Sequence, residues 1–243
     1  MSKILLLGGT KMARLLAAHL AKNHNVTYSI AGGTSQALLP DNCQHQIGGF
    51  GGRAGLAAYI SANGIDICID ATHPFAQNIS QNALAACAES AIPIVHYARR
   101  NWPIDSKLIY KNAAQLIAAL PQTAKIFLTI GGQNIEPFLS LKQNVIARMI
   151  EPPNLSGASL PENFEILLSR PPYKLKQELE LMQRHKITHL ICKNSGGNKL
   201  ADKLLAAQKL GVHILLLARP KSPHTDNYYE TSQIEAYLNN LPI

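Results

Sequence analysis

The chain has 243 residues, 47% of them hydrophobic and 16% charged, which suits one large α/β domain or two smaller ones and argues against disorder. Its formal net charge of +8 indicates anionic ligands. Because the chain has no run of five or more Lys/Arg residues and few aromatic residues, we expect no nucleic-acid partner. No apolar run approaches the length of a membrane span, so we expect no membrane association.

Strands and helices alternate along the first hundred residues, a pattern that predicts a mainly parallel sheet flanked by helices. The predicted strands cover residues 3–7, 26–30, 44–47, 66–70 and 92–96, and the predicted helices cover residues 10–22, 53–63 and 75–90. The alternation breaks at Arg99-Arg100-Asn101-Trp102-Pro103. We place a domain boundary shortly after this segment, so that the first domain comprises residues 1–108.

The alternation resumes in the second half, residues 109–243, and predicts a second α/β domain. The predicted strands cover residues 125–130, 145–149, 165–168, 189–192 and 212–217, and the predicted helices cover residues 113–120, 174–185, 201–210 and 233–238. The last of these is a short tail helix that packs over a sheet edge. The expected fold is therefore α/β, with two Rossmann-like parallel-sheet domains and a cleft between them.

The four cysteines are scattered and include no Cys-x-x-Cys pair, which indicates a reducing cytoplasm and no disulfide framework. The N-terminus leads directly into a strand, with no signal peptide pattern. His185 and His189 are four residues apart but straddle a predicted helix–strand junction, so we expect no metal site from this pair.

A glycine-rich turn follows the first strand. Gly8, Gly9 and Thr10 lie between a buried strand and a helix start, where amides can approach a pyrophosphate. The match to Gly-x-Gly-x-x-Gly is degenerate, because Thr10 and Ala13 replace two glycines. Many α/β proteins open with an unspecialised turn of this kind, and that alternative stays open for the motif alone.

The residues after the second strand favour NADP over NAD. An NAD site places an acidic residue about 20 residues past the glycines, but the first acidic residue of this chain is Asp41. Small residues stand there instead, and Arg14 adds a cation near the turn. The predicted cofactor-binding residues are Gly8, Gly9, Thr10, Arg14, Gly32, Gly33, Thr34 and Ser35. The alternative is that Thr34 or Ser35 merely caps a helix.

The sequence Asp70-Ala71-Thr72-His73-Pro74 lies where a parallel strand ends and a helix begins, at the sheet edge where α/β proteins bind ligands. A histidine there can orient a substrate or supply a proton near neutral pH. We therefore name His73 and Thr72 as candidate catalytic residues. A histidine hydrogen-bonded at a strand end for structural reasons is an equally open alternative.

Two polar turns follow strong strands in the second half, at Thr129-Ile130-Gly131-Gly132 and at Lys193-Asn194-Ser195-Gly196-Gly197. Exposed amides beside polar side chains are typical of carboxylate- or phosphate-binding turns, and arginines at strand ends add positive charge. The candidate substrate-binding residues are Arg99, Arg148, Arg170, Lys193, Ser195, Gly196 and Gly197.

Taken together, these motifs resemble the precorrin-6A reductase family, which includes the cobalt-precorrin form. The resemblance runs in order from about residue 3 to Pro220 and is carried by Gly8-Gly9-Thr10-x-x-Ala13-Arg14, Phe50-Gly51-Gly52, Asp70-Ala71-Thr72-His73-Pro74, Arg99 with Trp102, Arg170-Pro171-Pro172-Tyr173 and Lys193-Asn194-Ser195-Gly196-Gly197 with Lys203. The chain departs from the family pattern at Gly33, where an arginine that contacts the 2′-phosphate is expected.

The resemblance implies an enzyme that reduces one double bond of precorrin-6A, or of its cobalt form, with hydride from NADPH, to give the 6B form in cobalamin biosynthesis. It also implies an NADP-binding first domain, a substrate-binding second domain, and an anionic tetrapyrrole as the partner of the positive charge. We expect a monomer or a small homo-oligomer. Two alternatives stay open: an NADP-dependent reductase or epimerase of another small substrate, and a non-catalytic nucleotide- or tetrapyrrole-binding module.

Overall fold

A computed structural model of the chain describes residues 1–32, 37–155, 159–197 and 201–241. The chain forms two compact units, the first made of Met1–Arg100 together with Pro220–Ile243 and the second of Asn101–Arg219. Each unit is built on one six-stranded sheet in which neighbouring strands run parallel. The prediction of two Rossmann-like α/β units is confirmed.

The first unit has the strand order of a dinucleotide-binding fold. Its elements are β1 (Lys3–Leu7), α1 (Lys11–Leu20), β2 (Asn25–Ile30), β3 (Gln44–Ile47), α2 (Gly52–Asn63), β4 (Ile67–Asp70), α3 (Gln77–Glu89), β5 (Ile94–Tyr97), β12 (Asn227–Tyr228) and α7 (Thr231–Asn239). The sheet order β12-β5-β4-β1-β2-β3 matches the order 3-2-1-4-5-6 of that fold, with β12 as the sixth strand.

The second unit repeats this order. Its elements are β6 (Ile109–Tyr110), α4 (Ala113–Ala118), β7 (Lys125–Thr129), β8 (Asn144–Met149), β9 (Phe164–Leu168), α5 (Leu175–Arg184), β10 (His189–Lys193), α6 (Asp202–Leu210) and β11 (His213–Leu217), with short 3₁₀ helices at Ser106–Leu108, Gly132–Asn134 and Glu136–Phe138. The sheet order is β6-β11-β10-β7-β8-β9. Here the sixth position is taken by a strand that precedes the other five in the chain.

The core of the first unit lies between its sheet and the helices. Residues 4–7 of β1 are at most 2% exposed, because a parallel sheet is covered on both faces and its strands are apolar throughout. On α1 the buried residues are Ala13, Leu16, Ala17 and Leu20, a spacing of three and four that forms one apolar stripe. This stripe packs on the sheet.

The C-terminal tail corrects the predicted domain division. The prediction assigned residues 109–243 to the second domain, but β12 pairs with β5 of the first unit and Ile234 and Leu238 of α7 are buried in the core of that unit. The edge of β5 would otherwise be unpaired, and a strand edge without a partner leaves backbone groups without hydrogen bonds. Residues 101–108, in turn, belong with the second unit.

The longest helix among the described residues, α3, has 13 residues, and no described helix is both long and apolar enough to span a bilayer. All four cysteines are free thiols, and Cys68, Cys87 and Cys192 are buried, as small apolar residues commonly are.

Candidate active site

The strand order of each sheet reverses at one place, between β1 and β4 in the first unit and between β7 and β10 in the second. Open parallel sheets bind ligands beyond the carboxyl ends of their strands at such a switch point. Leu7 pairs with Asp70 across the first switch point, and Thr129 pairs with Cys192 across the second. The turns after β1 and β4 therefore lie side by side at the first switch point, and the turns after β7 and β10 lie side by side at the second.

In the glycine-rich turn after β1, glycine is required at positions 8 and 9 for different physical reasons. The amide of Gly8 donates to the carbonyl of Ser29 at 2.8 Å, and a Cβ on Gly8 would lie 2.2 Å from the ring of Tyr28. Gly9 has a φ of 94°, which side chains rarely adopt, and its amide donates to the Tyr28 hydroxyl at 2.9 Å. A Cβ on Gly9 would meet no described atom within 4 Å. Gly8 thus serves packing, while Gly9 leaves open space above the turn.

Thr10 connects the two turns of the first switch point. Its hydroxyl oxygen accepts from the amide of Ala13 at 3.0 Å and donates to the carbonyl of Ala71 at 3.3 Å. The side chain thereby caps α1 and satisfies one of the four amides that a helix leaves without internal partners at its N-terminus. The hydroxyl proton is directed at the Ala71 carbonyl, so this side chain contributes to a cofactor site by holding the turn and not by donating to a phosphate.

The remaining predicted cofactor residues are placed only in part. Arg14 is half-buried in α1, and no acidic residue stands in the first turn of that helix. Gly32 follows β2 with a φ of 74°. Gly33, Thr34 and Ser35 lie outside the described residues.

The turn after β4 is organised by a buried carboxylate. Asp70 is fully buried, and its Oδ1 accepts from both the amide and the hydroxyl of Thr72, at 3.0 and 2.7 Å. The Thr72 hydroxyl also lies 3.3 Å from that of Ser80 on α3. The backbone amide of Phe75 donates to Nδ1 of His73 at 3.3 Å. Both candidate catalytic residues are therefore held by contacts within this turn.

The tail supplies a partner for Asp70 that sequence reasoning missed. Nε2 of His224 lies 2.8 Å from Oδ2 of Asp70, and both side chains are almost completely buried. Burial alone raises the pKa of Asp70, but hydrogen bonds from His224, Ser80 and Thr72 outweigh it and lower the pKa to about 2. The carboxyl group is therefore ionised although it is buried.

The second switch point brings two lysines together. Lys193 ends β10 and its ammonium donates to Oδ1 of Asn134, while Lys203 on α6 donates to the hydroxyl of Thr129 at 2.8 Å. Burial and the charge of Lys203 lower the pKa of Lys193 to about 8. Like charges near one another are unfavourable unless an anion balances them. This arrangement therefore suits a carboxylate or another anion. Lys203 joins the candidate site residues, and only the family resemblance pointed to it.

The polar turn after β10 continues this site. Gly196 and Gly197 have φ values of 61° and 131°, a region of backbone conformation that favours glycine. Among the described residues Asn194 is 7% exposed and its Oδ1 is buried without a hydrogen-bond partner, while its backbone carbonyl accepts from Nε of Arg219 at 2.8 Å. Ser195 is half-buried beside these glycines.

The arginines predicted to bind substrate differ from one another. Arg148 is buried and forms two hydrogen bonds with the carboxylate of Glu178, at 2.7 and 3.1 Å, and its guanidinium lies 3.7 Å from the ring centre of Tyr173. A charge so enclosed and neutralised is a structural ion pair, so the prediction that Arg148 clamps a substrate carboxylate is not favoured.

Arg170 and Arg99 are less buried than Arg148. Arg170 is about one-third exposed and pairs with Glu151 at 2.7 Å, a contact of the kind that an anionic ligand can compete for. Arg99 is half-buried just beyond β5. Their proposed role in substrate binding stays a prediction.

Comparison with known proteins now adds to this geometry. The family model for precorrin-6x reductase CbiJ/CobK matches residues 3–241. The chain belongs to the precorrin-6x reductase family. It is 37% identical to the precorrin-6A reductase of Rhodobacter capsulatus, with 93% of this chain and 91% of that protein covered. It is 40% identical to the precorrin-6A reductase of Rhodococcus erythropolis, with 92% and 91% covered.

The fold agrees with that of a solved member of the family. A structure described as CobK precorrin-6A reductase superposes with a TM-score of 0.89 at 34% sequence identity, over 99% of this chain and 97% of that one. The chain is also 29% identical to the cobalt-precorrin-6A reductase of Priestia megaterium over 98% of both chains. The family resemblance inferred from the sequence is confirmed.

Proposed function

We propose that the protein is an NADPH-dependent reductase that converts precorrin-6A, or its cobalt form, to the 6B form in cobalamin biosynthesis. The observation that carries the proposal is the similarity to precorrin-6A reductases at 37–40% identity across more than nine-tenths of the chain. The two switch points supply the two binding functions that such a reaction needs.

The first switch point fits a nicotinamide dinucleotide. It has the Rossmann strand order, a helix N-terminus without acidic residues in its first turn, and open space beside Gly9 where a side chain would intrude. Gly9 and the first-turn amides of α1 would hold the pyrophosphate, where the helix dipole favours negative charge. Arg14, Gly32, Gly33, Thr34 and Ser35 would contact the adenosine ribose and its 2′-phosphate. When bound, the cofactor supplies a hydride.

The second switch point fits the acidic substrate. Lys193 and Lys203 provide two cations, and Ser195, Gly196 and Gly197 provide the amides and the hydroxyl that a carboxylate accepts hydrogen bonds from. Arg99 and Arg170 add further positive charge. These groups act by positioning the substrate, which is a large part of the rate enhancement when two ligands must meet in a fixed geometry.

Thr72 and His73 would lie beside the reacting atoms. Reduction of a carbon double bond takes up a proton as well as a hydride, and a histidine can deliver one near neutral pH. The hydrogen bond from the Phe75 backbone amide makes Nδ1 of His73 the acceptor. In the neutral ring the proton therefore resides on Nε2.

The proposal is tested by mixing the purified protein with precorrin-6A and either NADPH or NADH, and by following nicotinamide oxidation together with the mass of the tetrapyrrole. We expect nicotinamide oxidation that depends on precorrin-6A and a tetrapyrrole product heavier by two hydrogens. The KM for NADPH should be lower than the KM for NADH. Binding of NADPH without any oxidation would identify a non-catalytic binding module instead. Running metal-free and cobalt-containing substrate in parallel identifies the preferred form.

A further inference from the structure

We propose that His224 is a positioning residue of the reductase site, because it orients the buried Asp70 carboxylate that fixes Thr72. The inference rests on the proposed function, which takes Thr72 and His73 to lie beside the reacting atoms. It assigns a role in that site to the C-terminal tail, 154 residues away in the sequence.

One carboxylate joins the tail to the turn after β4. Its Oδ2 lies 2.8 Å from Nε2 of His224, and its Oδ1 accepts two hydrogen bonds from Thr72. A carboxylate with both oxygens engaged has a fixed plane, so the position of the Thr72 hydroxyl depends on what holds Oδ2. Among the described side chains, His224 contacts Oδ2 at 2.8 Å, and Ser80 also donates a hydrogen bond to the carboxylate.

His224 is itself held in place by the first unit. Its ring stacks on that of His96 in β5, with ring centres 4.4 Å apart, and Nδ1 of His96 lies 2.7 Å from Oδ1 of Asn227 in β12. The backbone amide of His224 donates to the Ser222 hydroxyl at 3.2 Å. Because β12 pairs with β5, the segment that directly precedes this edge strand places the imidazole of His224 beside Asp70.

The electrostatics support the same role. Burial raises the pKa of Asp70, and the hydrogen bond from His224 is the largest of the contributions that lower it to about 2. The other titratable groups near the carboxylate are His96 on β5 and Cys68 on β4, whose hydrogen bond to Cys87 and burial raise its pKa well above the ordinary value. Cys68 therefore stays neutral, and removal of His224 would leave a buried charge without its main partner.

Asp70, His96 and His224 also form a donor set that could hold a metal ion, with one ligand atom from each lying within 4.8 Å of the others. The geometry disfavours this use. The two imidazole rings are stacked at an angle of 22°, so their in-plane lone pairs run side by side and do not converge at about 2 Å on one ion. The direct contact between Nε2 of His224 and Oδ2 of Asp70 is a hydrogen bond. Metal binding is therefore a competing outcome of the test.

The test compares His224→Leu, which removes the donor, with His224→Gln, which retains an N–H group. The matched control is His213→Leu in the second unit, where His213 likewise stacks on a histidine, His189. Three quantities are measured for each protein: kcat and KM with precorrin-6A, the Kd for NADPH, and the low-pH limb of the unfolding curve without ligands.

We expect His224→Leu to lower kcat at least tenfold with a Kd for NADPH within twofold of wild type, and His224→Gln to recover part of the loss. The direction in which the low-pH limb of the unfolding curve should move follows from the pKa of Asp70. Asp70 has a lowered pKa in the folded protein, so its stabilisation is present above the unfolded pKa and is lost as pH falls toward about 2. Without His224 that pKa rises, and the limb should move up by about one pH unit.

Wild-type kcat in both His224 variants would overturn the proposal, and so would an equal loss of kcat in His213→Leu. If His224→Leu does not fold, the kcat of His224→Gln and its low-pH limb decide the matter. Stoichiometric Zn²⁺ binding that both His224→Gln and His96→Gln abolish would overturn the positioning role in favour of a metal site. If wild-type protein reduces no precorrin-6A, the proposed function fails. The low-pH limb of the unfolding curve still shows whether His224 stabilises the ionised Asp70.

Discussion

The ammonium group of Lys193 lies where burial and a second cation, Lys203, both oppose its charge, and its pKa falls to about 8 as a result. An ordinary lysine titrates near 10.4 and keeps its charge throughout the neutral range. Lys193 loses its charge much closer to neutrality. Because an anion favours the protonated form, binding of an acidic substrate and binding of this proton are coupled.

We therefore predict that KM for precorrin-6A rises as pH increases from about 7 to about 9, since deprotonation of Lys193 removes a cation from the proposed substrate site. Lys193→Gln should have a raised KM at about pH 7 and a flatter profile. Steady-state kinetics across this pH range measure both effects. The control is Lys176→Gln, whose side chain is 88% exposed on α5. An unchanged profile in Lys193→Gln would show that another group titrates.

Candidate residues could be named from the sequence when they lie at or just beyond the end of a buried strand, as Gly8, Thr72 and Lys193 do. Their partners were not, because a hydrogen bond such as that between Asp70 and His224 joins residues 154 positions apart, and no local pattern encodes it. Arg148 illustrates the converse: its position at a strand end indicated ligand binding, but the strand neighbour α5 supplies Glu178 and neutralises it.

At the scale of elements, the ion pair of Arg148 and Glu178 fastens α5 to β8. The guanidinium also lies over the rings of Phe127 and Tyr173, with 4.8 and 3.7 Å to the ring centres, so aromatic faces and a carboxylate enclose it. Removing one member of such a pair leaves the other charge buried and unpaired.

Arg148→Met should accordingly destabilise the protein by about 3–5 kcal/mol, and the double variant Arg148→Met with Glu178→Leu should recover much of that loss. Chemical denaturation measures the free energy of unfolding of each variant. The double variant should retain a KM for precorrin-6A within a factor of about two, since a structural pair holds no substrate. A large rise in its KM would restore Arg148 to the list of substrate-binding residues.

The long strands were predictable because continuous apolar runs bounded by turn residues are typical of buried parallel strands. The edge strands β6 and β12 were not predicted. Each has two residues, too few for any periodic pattern, and each forms because the neighbouring strand has an unpaired edge. For the same reason the sequence could not assign the tail to the first unit.

At the scale of the whole molecule, the first unit depends on a segment that is distant in the chain. Ile234 of α7 is fully buried in its core beside Leu238. Ile234→Ala should therefore lower the free energy of unfolding by about 2–5 kcal/mol, because the deletion leaves a cavity in a core that relaxes only partly.

Thermal and chemical denaturation measure this loss, and Ile47→Ala, at a site that is 58% exposed in the same unit, is the control with an expected change below about 0.5 kcal/mol. Saturating NADPH should raise the Tm of Ile234→Ala, since a ligand that binds only the folded unit stabilises it by mass action. Equal effects of the two substitutions would show that α7 contributes little to the core.

The position of β12 and His224 in the chain has a consequence for synthesis. A ribosome completes residues 101–219, the whole second unit, before it makes the last strand of the first. An N-terminal domain usually folds first, as it emerges from the ribosome. Here the first unit can complete its sheet only after the second unit has been synthesised. Until the tail is made, β5 has no neighbour on one side and Asp70 lacks the imidazole of His224. The turn after β4 therefore acquires its full set of hydrogen bonds only after the second unit has been translated.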